Sequence, residues 1–274
     1  MDKTRRGDTN SLNGRVILVT GGAKGIGAGC ARLFAEEGWN VVVFDIDDDA
    51  GQELVSGLDS KHPGKCSFLH CDIGDFEQLQ VVFTKMMGDF GRLDCLINNA
   101  VQFPPRKTID NYSPQEISKS ININLCSCIL LCKLALPHLR NVQGNIVNMS
   151  SIVAMSGQDR NSVYSAAKGG ISAFTKSLAI DEAPHGVRVN AVLPGNIITG
   201  PRLEFEAKLD DPEGYHDFIE TWQWLGRSGS VEDVAKACYF LASENASFIT
   251  GVELLLTGGI ELGQGPKTDV LRHY

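Results

Sequence analysis

Short apolar runs alternate with longer amphipathic ones along almost the whole chain. Seven runs rich in Val, Ile, Leu and Phe read as strands: Val16–Thr20, Asn40–Asp45, Ser67–Asp72, Leu93–Asn98, Asn145–Ser150, Arg188–Leu193 and Glu253–Thr257. They are continuously apolar rather than alternating, so both faces of each strand must be covered, as in a parallel sheet. Between them, apolar residues at helical spacing predict helices over Gly25–Glu37, Asp49–Leu58, Phe76–Asp89, Pro114–Arg140, Ser162–Ala183 and Val231–Ser243. Strands alternating with helices make βαβ units with right-handed crossovers. The pattern predicts an α/β fold: one doubly wound parallel sheet of seven strands with helices on both faces.

One stretch breaks the rhythm. Asn196–Gly229 holds several glycines and prolines, the acidic patch Asp210-Asp211-Pro212-Glu213, and Trp222 and Trp224. It follows a predicted strand end, where open α/β sheets place their ligand crevice, and is expected to be a substrate lid. No linker or repeat divides the 274 residues, so residues 1–274 are expected to form a single domain with loosely held ends at 1–12 and 264–274.

Composition narrows the function. The chain is 43% hydrophobic and 21% charged, with formal charge −8 and pI about 5.3. Acidic and basic residues are mixed, which argues against a nucleic-acid partner. The greasiest helical stretch, Ile129–Leu139, is interrupted by Lys133 and Pro137, so no membrane span is expected. The N-terminus has no apolar stretch of a secretory signal, and a cytoplasmic location is expected. Most of the eight cysteines fall within apolar periodic segments and read as reduced, buried thiols. Without paired C-x2-C spacing or a histidine pair, no metal site is expected.

The first strand runs into Thr20-Gly21-Gly22-Ala23-Lys24-Gly25-Ile26-Gly27, which opens a helix. Glycines let the backbone turn sharply beside a pyrophosphate, and the helix N-terminus offers free N–H groups and a positive dipole end. Asp45 closes the second strand 18 residues past Gly27, near the spacing expected of an adenosine-ribose ligand. A carboxylate there accepts hydrogen bonds from both ribose hydroxyls. It would repel a 2′-phosphate ~4 Å away by roughly 1–4 kcal/mol per unit charge. Asp47, Asp48 and Asp49 add to that field; Lys24 is the nearby cation that offsets it. NAD rather than NADP is the expected cofactor.

The glycine turn, Asn98-Asn99-Ala100, Ser151 and Tyr164-x3-Lys168 together resemble the short-chain dehydrogenase/reductase family, over roughly Asn13–Gly265. The resemblance implies a Rossmann-type single domain and an NAD-dependent oxidoreductase that moves a hydride between a small-molecule alcohol or ketone and the nicotinamide. It implies Asn124, Ser151, Tyr164 and Lys168 as catalytic residues. The cofactor residues it implies are Gly21, Lys24, Gly25, Ile26, Gly27, Asp45, Asp72, Ile73, Asn98, Ala100, Pro194, Gly195, Ile197 and Thr199, with Tyr164 and Lys168 again. A free tyrosine has a pKa near 10. A lysine one helical turn away, with a positive nicotinamide, would favour its phenolate, so Tyr164 is expected to be the proton acceptor. Ser151 would hold the substrate oxygen, and Asn124 a water that extends the proton path through Lys168. Family members usually assemble through their long helices, which implies a homotetramer.

Several stretches, among them Lys133-Leu134-Ala135-Leu136-Pro137, are most similar to a hydroxysteroid and sugar dehydrogenase branch of the family. Gln158 fits a substrate-contacting glutamine of that branch, whereas Gln102-Phe103, Arg202 and Gln264 differ from it. Gln102, Gln158 and Arg202, with Ser151 and Tyr164, are the candidate substrate residues, and their amide and guanidinium groups suit a polyhydroxylated or anionic substrate. Val101 stands where the family has glycine; a β-branched residue resists φ > 0, so a reset loop or weakened activity is expected. Two readings compete: an NADPH-linked carbonyl reductase, which Asp45 opposes, and a catalytically weak NAD-binding sensor or scaffold, which the presence of Tyr164 and Lys168 opposes.

Overall fold

A computed structural model describes residues 14–262; the ends expected to be loose, 1–12 and 264–274, lie outside the described residues. Seven strands form one parallel sheet: β1 (Val16–Thr20), β2 (Asn40–Asp45), β3 (Cys66–His70), β4 (Cys95–Asn98), β5 (Asn145–Met149), β6 (Arg188–Pro194) and β7 (Glu253–Leu256). Their order is β3-β2-β1-β4-β5-β6-β7, and every neighbouring pair is parallel. The chain reverses its direction of winding between β1 and β4, and a crevice opens at the carboxyl ends of those two strands.

The continuous apolar strands are explained by coverage of both faces. Ile17, Val19, Val41, Val43 and Ile97 face a core formed with helices α1 (Gly25–Glu36), α2 (Asp48–Asp59) and α10 (Val231–Ala242). Their neighbours Val16, Leu18, Val42, Phe44 and Leu96 face a second core under α3 (Phe76–Phe90), α5 (Ser127–Val142) and α7 (Ser162–Glu182). All eight cysteines are free, and all but Cys126 are buried. Residues 114–142 together are apolar enough, by length and composition, to cross a bilayer. Here Leu131, Cys132, Ala135 and Leu139 of that stretch pack into the second core.

The long helix predicted over Pro114–Arg140 forms as one helical stretch from Pro114 to Val142, with one departure from α geometry inside it. A helix α4 (Pro114–Ile121) passes through a π turn, Asn122–Cys126, into α5. The Ser127 N–H reaches back to the Asn122 carbonyl, five residues away. Such turns carry one extra residue and often mark functional positions. Asn124 is its buried residue.

The stretch 196–229, expected as an insertion, contains two further helices, α8 (Gly200–Glu206) and α9 (Pro212–Glu220). A short helix α6 (Val153–Ser156) follows β5. The ends of β4 and β5 are tied by a buried amide ladder: Asn98 Nδ2 donates to Asn148 Oδ1 (2.9 Å), and Asn148 Nδ2 donates to Thr175 Oγ1 on α7 (2.9 Å). Hydrogen-bonded polar groups of this kind fix the strand ends that border the crevice.

Candidate active site

The glycine turn sits at the crevice between β1 and β4. Gly21 has φ +60, and a Cβ there would lie 2.7 Å from Ala100 Cα. A Cβ on Gly27 would lie 2.2 Å from the Gly21 carbonyl oxygen. Both positions need glycine because backbone meets backbone. Gly25 has φ +55 but open space above it, with Thr199 the nearest neighbour at 3.8 Å. Helix α1 starts at that point with no side-chain cap from Lys24 and no acidic residue in its first turn. By contrast α2, α3 and α10 are capped by Asp47, Asp75 and Ser230. Uncapped N–H groups over open space suit a pyrophosphate, so the donors present fit a dinucleotide.

Two residues not singled out in the sequence hold this turn. Thr20 Oγ1 accepts from the Asn99 and Ala100 amides, both at 3.0 Å, and Asn99 Nδ2 donates to the Thr20 and Gly21 carbonyls at 3.0 and 2.9 Å. The doubled asparagine of Asn98-Asn99 was the available signal: Asn98 ties β4 to β5, whereas Asn99 ties β4 to the turn.

At the far end of the turn, Asp45 Oδ2 accepts from the Ala23 amide (3.0 Å), and Oδ1 from the Ile46 and Asp47 amides (2.7 and 3.1 Å). Asp72 is exposed, with Oδ1 bonded to the Gly74 amide (2.8 Å), and Ile73 is buried beside it. Pro194 ends β6 and Gly195 bonds to the Leu256 carbonyl (3.0 Å). Ile197 is buried and bridges to Gly229. Ile26 packs against the first core.

Ser151, Tyr164, Lys168 and Asn124 come together on the β4–β5 side of the crevice. Tyr164 and Lys168 are one turn apart on α7, with Lys168 Nζ 5.6 Å from the Tyr164 ring centroid and donating to the Met149 carbonyl at 2.7 Å. Lys168 is 2% exposed. Burial lowers its ammonium to about 8, against a smaller opposing effect of Cys128. Burial likewise pushes the Tyr164 phenol up, and a hydrogen bond with the Ser151 side chain pulls it partly back. Asn124 Oδ1 accepts from the Gln102 amide (2.9 Å), and its Nδ2 donates to the Gln102 carbonyl (2.8 Å). A cavity of about 10 Å³ lies among Asn124, Lys168, Thr20, Ile73 and Cys128, about the room one water needs.

The expected substrate residues are placed unequally. Gln102 joins this group through its backbone. Gln158 Oε1 accepts from Asn161 Nδ2 at 2.7 Å. Phe103, 70% exposed, sets its ring 5.5 Å from that of Tyr164. Arg202 has its charge already met: Nε donates to Glu206 Oε1 (2.6 Å) and Nη1 to Ser228 Oγ (2.8 Å), with the side chain 15% exposed. Burial works against the Glu206 charge, yet hydrogen bonds from Arg202 and His216 prevail and lower its pKa. The reason to expect an anionic substrate at Arg202 is thereby removed. Val101 also departs from expectation. Among the described residues only Gln143 and Arg160 are non-glycines with positive φ, and Val101 is exposed, so the loop accepts it without left-handed strain.

Residues 21–261 match the family model described as enoyl-(acyl carrier protein) reductase. L-fucose dehydrogenases of Oryctolagus cuniculus and Bos taurus are 43% and 44% identical over 254 residues. Those matches cover 93% of this chain and 87% and 92% of theirs. The solved structure of an NAD+-bound xylitol dehydrogenase superposes with a TM-score of 0.83 at 28% identity, over 90% of this chain and 99% of that one.

Proposed function

The chain belongs to the short-chain dehydrogenase/reductase family, and from that premise we propose that it is an NAD-dependent dehydrogenase of a secondary hydroxyl on a small polyhydroxylated molecule. The observation that carries this reading is the grouping of Ser151, Tyr164, Lys168 and Asn124 beside an uncapped glycine turn. The names of the fucose and xylitol enzymes support a sugar or polyol substrate.

When bound, the nicotinamide accepts the hydride and brings positive charge toward the phenol. The backbone of Gly21, Lys24, Gly25, Ile26 and Gly27 would hold the pyrophosphate, Asp45 the adenosine ribose, and Asp72 and Ile73 the adenine. Asn98, Ala100, Pro194, Gly195, Ile197 and Thr199 would line the nicotinamide half. Ser151 Oγ holds the substrate oxygen, and Tyr164 Oη takes the hydroxyl proton as the carbonyl forms. Lys168 stays an ammonium at neutral pH, since its pKa is about 8, and stabilises the phenolate from below. The proton then moves by way of Lys168 toward the small cavity beside Asn124. Residues 196–229 serve as the cover over this site.

A panel of L-fucose, other sugars, polyols and hydroxysteroids, read by reduced-nicotinamide absorbance with NAD and NADP in parallel, tests the function. A sugar or polyol with NAD is expected to give the highest kcat/KM. A hydroxysteroid winning clearly would favour the exposed Phe103 ring as an apolar platform and reject the polyol assignment. Asp45→Ala should raise the NADP:NAD ratio of kcat/KM by about tenfold or more, since one unit of repulsion is removed. An unchanged ratio would count against Asp45 as the ribose ligand.

The same reading includes a homotetramer acting in the cytoplasm. Its support is an apolar groove of about 300 Å³ on α5 and α7, lined by Ile129, Leu136, Phe174 and Leu178. Ile129, 39% exposed, and half-buried Phe174 present apolar groups there that a second copy would cover. Light scattering at micromolar concentration should give about four times the 29.7 kDa chain mass; a monomer mass would refute the assembly.

A further inference from the structure

The adenosine end of the glycine turn carries a second charge device besides Asp45. Lys24 immediately precedes Gly25 at the start of α1, where a free ammonium would attract a phosphate. Its Nζ instead lies 2.6 Å from Asp47 Oδ2. The other oxygen of the same carboxylate, Asp47 Oδ1, accepts from the Ala50 amide at 3.1 Å and caps α2. Asp47 is therefore anchored on a helix start while it grips the lysine. Hydrogen bonding and charge from Asp47 raise the Lys24 pKa, and Glu204 on α8 and Asp45 add to the effect; the Asp47 carboxyl is lowered in return, first by Lys24 and then by the Ala50 amide. Counting one positive and two negative charges, Lys24, Asp45 and Asp47 together carry −1.

We propose that Asp47 is a positioning residue for cofactor choice, acting through Lys24 by holding its ammonium away from an incoming 2′-phosphate. This rests on the NAD-linked reading given above. A 2′-phosphate carries about −1.5 to −2 charges at neutral pH. Near Asp45 it meets a fixed carboxylate, and the adjacent Lys24 is already engaged by Asp47. With Asp47 neutral, the three-residue charge falls to zero and Lys24 is released toward the phosphate. The arrangement excludes NADP twice, by the repulsion of Asp45 and by the sequestration of Lys24.

The test uses the full-length protein and measures dissociation constants of NADH and NADPH by calorimetry, independently of turnover. Asp47→Asn keeps a good N-cap for α2 while removing the charge. It is expected to tighten NADPH about ten- to hundredfold relative to NADH. Lys24→Met alone should move the NADPH:NADH ratio further against NADPH, because it leaves Asp45 and Asp47 both unneutralised beside the phosphate. The Asp47→Asn/Lys24→Met double variant should lose the gain. Asp47→Ser, a second capping variant, should behave like Asp47→Asn. An unchanged ratio in Asp47→Asn, or a gain that persists in the double variant, would overturn the proposal. Parent protein that binds NADPH as tightly as NADH would instead overturn the NAD reading on which it rests.

Discussion

Tyr164→Phe should lose about a thousandfold in kcat while NADH binding changes little. The substitution removes one oxygen, and that oxygen is the proposed proton acceptor; general acid–base groups contribute about 10²–10⁴-fold. The ring stays in place, packed with Ile152 and Val153 and facing Phe103. The lost hydrogen bond to Ser151 falls on a half-buried hydroxyl that water can reach. Stability should therefore move by less than about 1 kcal/mol. Single-turnover kinetics and calorimetric titration with NADH separate the two effects. Residual activity above a few per cent would assign the proton to another group.

Lys168→Met should be the second large effect, and it should cut in opposite directions on activity and on stability. Turnover should fall at least a hundredfold, because the charge that favours the phenolate is gone. NADH binding should weaken too, since the family resemblance places Lys168 among the cofactor-binding residues as well. The stability effect follows from burial. Lys168 has a folded pKa of about 8 against an ordinary value of 10.5. Below pH 8 the lysine is protonated in both folded and unfolded chains, and the full cost of burying the charge is present. Between pH 8 and 10 the folded chain sheds the proton first, so that cost is relieved as pH rises. Parent protein should thus gain up to about 3 kcal/mol relative to Lys168→Met between pH 7 and pH 10. At pH 7 the variant should lie close to the parent or above it, the lost bond to the Met149 carbonyl being offset. Urea unfolding at the two pH values measures the difference. A gap that does not change with pH would mean that Lys168 titrates near its ordinary value in the fold.

Much of the fold was legible because a parallel sheet leaves a strong mark: strands such as Val41-Val42-Val43-Phe44 are apolar at every position. The misplaced strand ends have local causes. Leu93 and Asp94 continue the apolar run before Cys95, but the Val16 amide bonds to the Asp94 carboxylate rather than to a backbone carbonyl, so pairing starts later. Cys71 bonds to the Asp45 carbonyl at the last rung between β2 and β3, and the chain then turns at Asp72. The site residues were legible by type and order. What they touch was less so. The Arg202–Glu206 pair could have been read from its i, i+4 spacing. The Lys24–Asp47 pair could not, since 23 positions separate a helix start from the cap of the next helix. The π turn at Asn124 leaves no composition signal; it follows from an amide that must serve both the Gln102 amide and the Gln102 carbonyl.

That π turn also changes how the two helices on either side are phased. One extra residue advances the side-chain positions by about 100° around the helix axis. Helix α4 and helix α5 are thereby rotated out of step within one helical stretch, and each can meet its own surroundings. Helix α5 turns Leu131, Ala135 and Leu139 into the sheet, while Ser120 on α4 faces Asn124 Nδ2 at 3.3 Å. A single uninterrupted helix would have one angular phase to share between the core stripe and the polar pocket. The turn acts as a dial that sets the two independently, with Asn124 at its pivot.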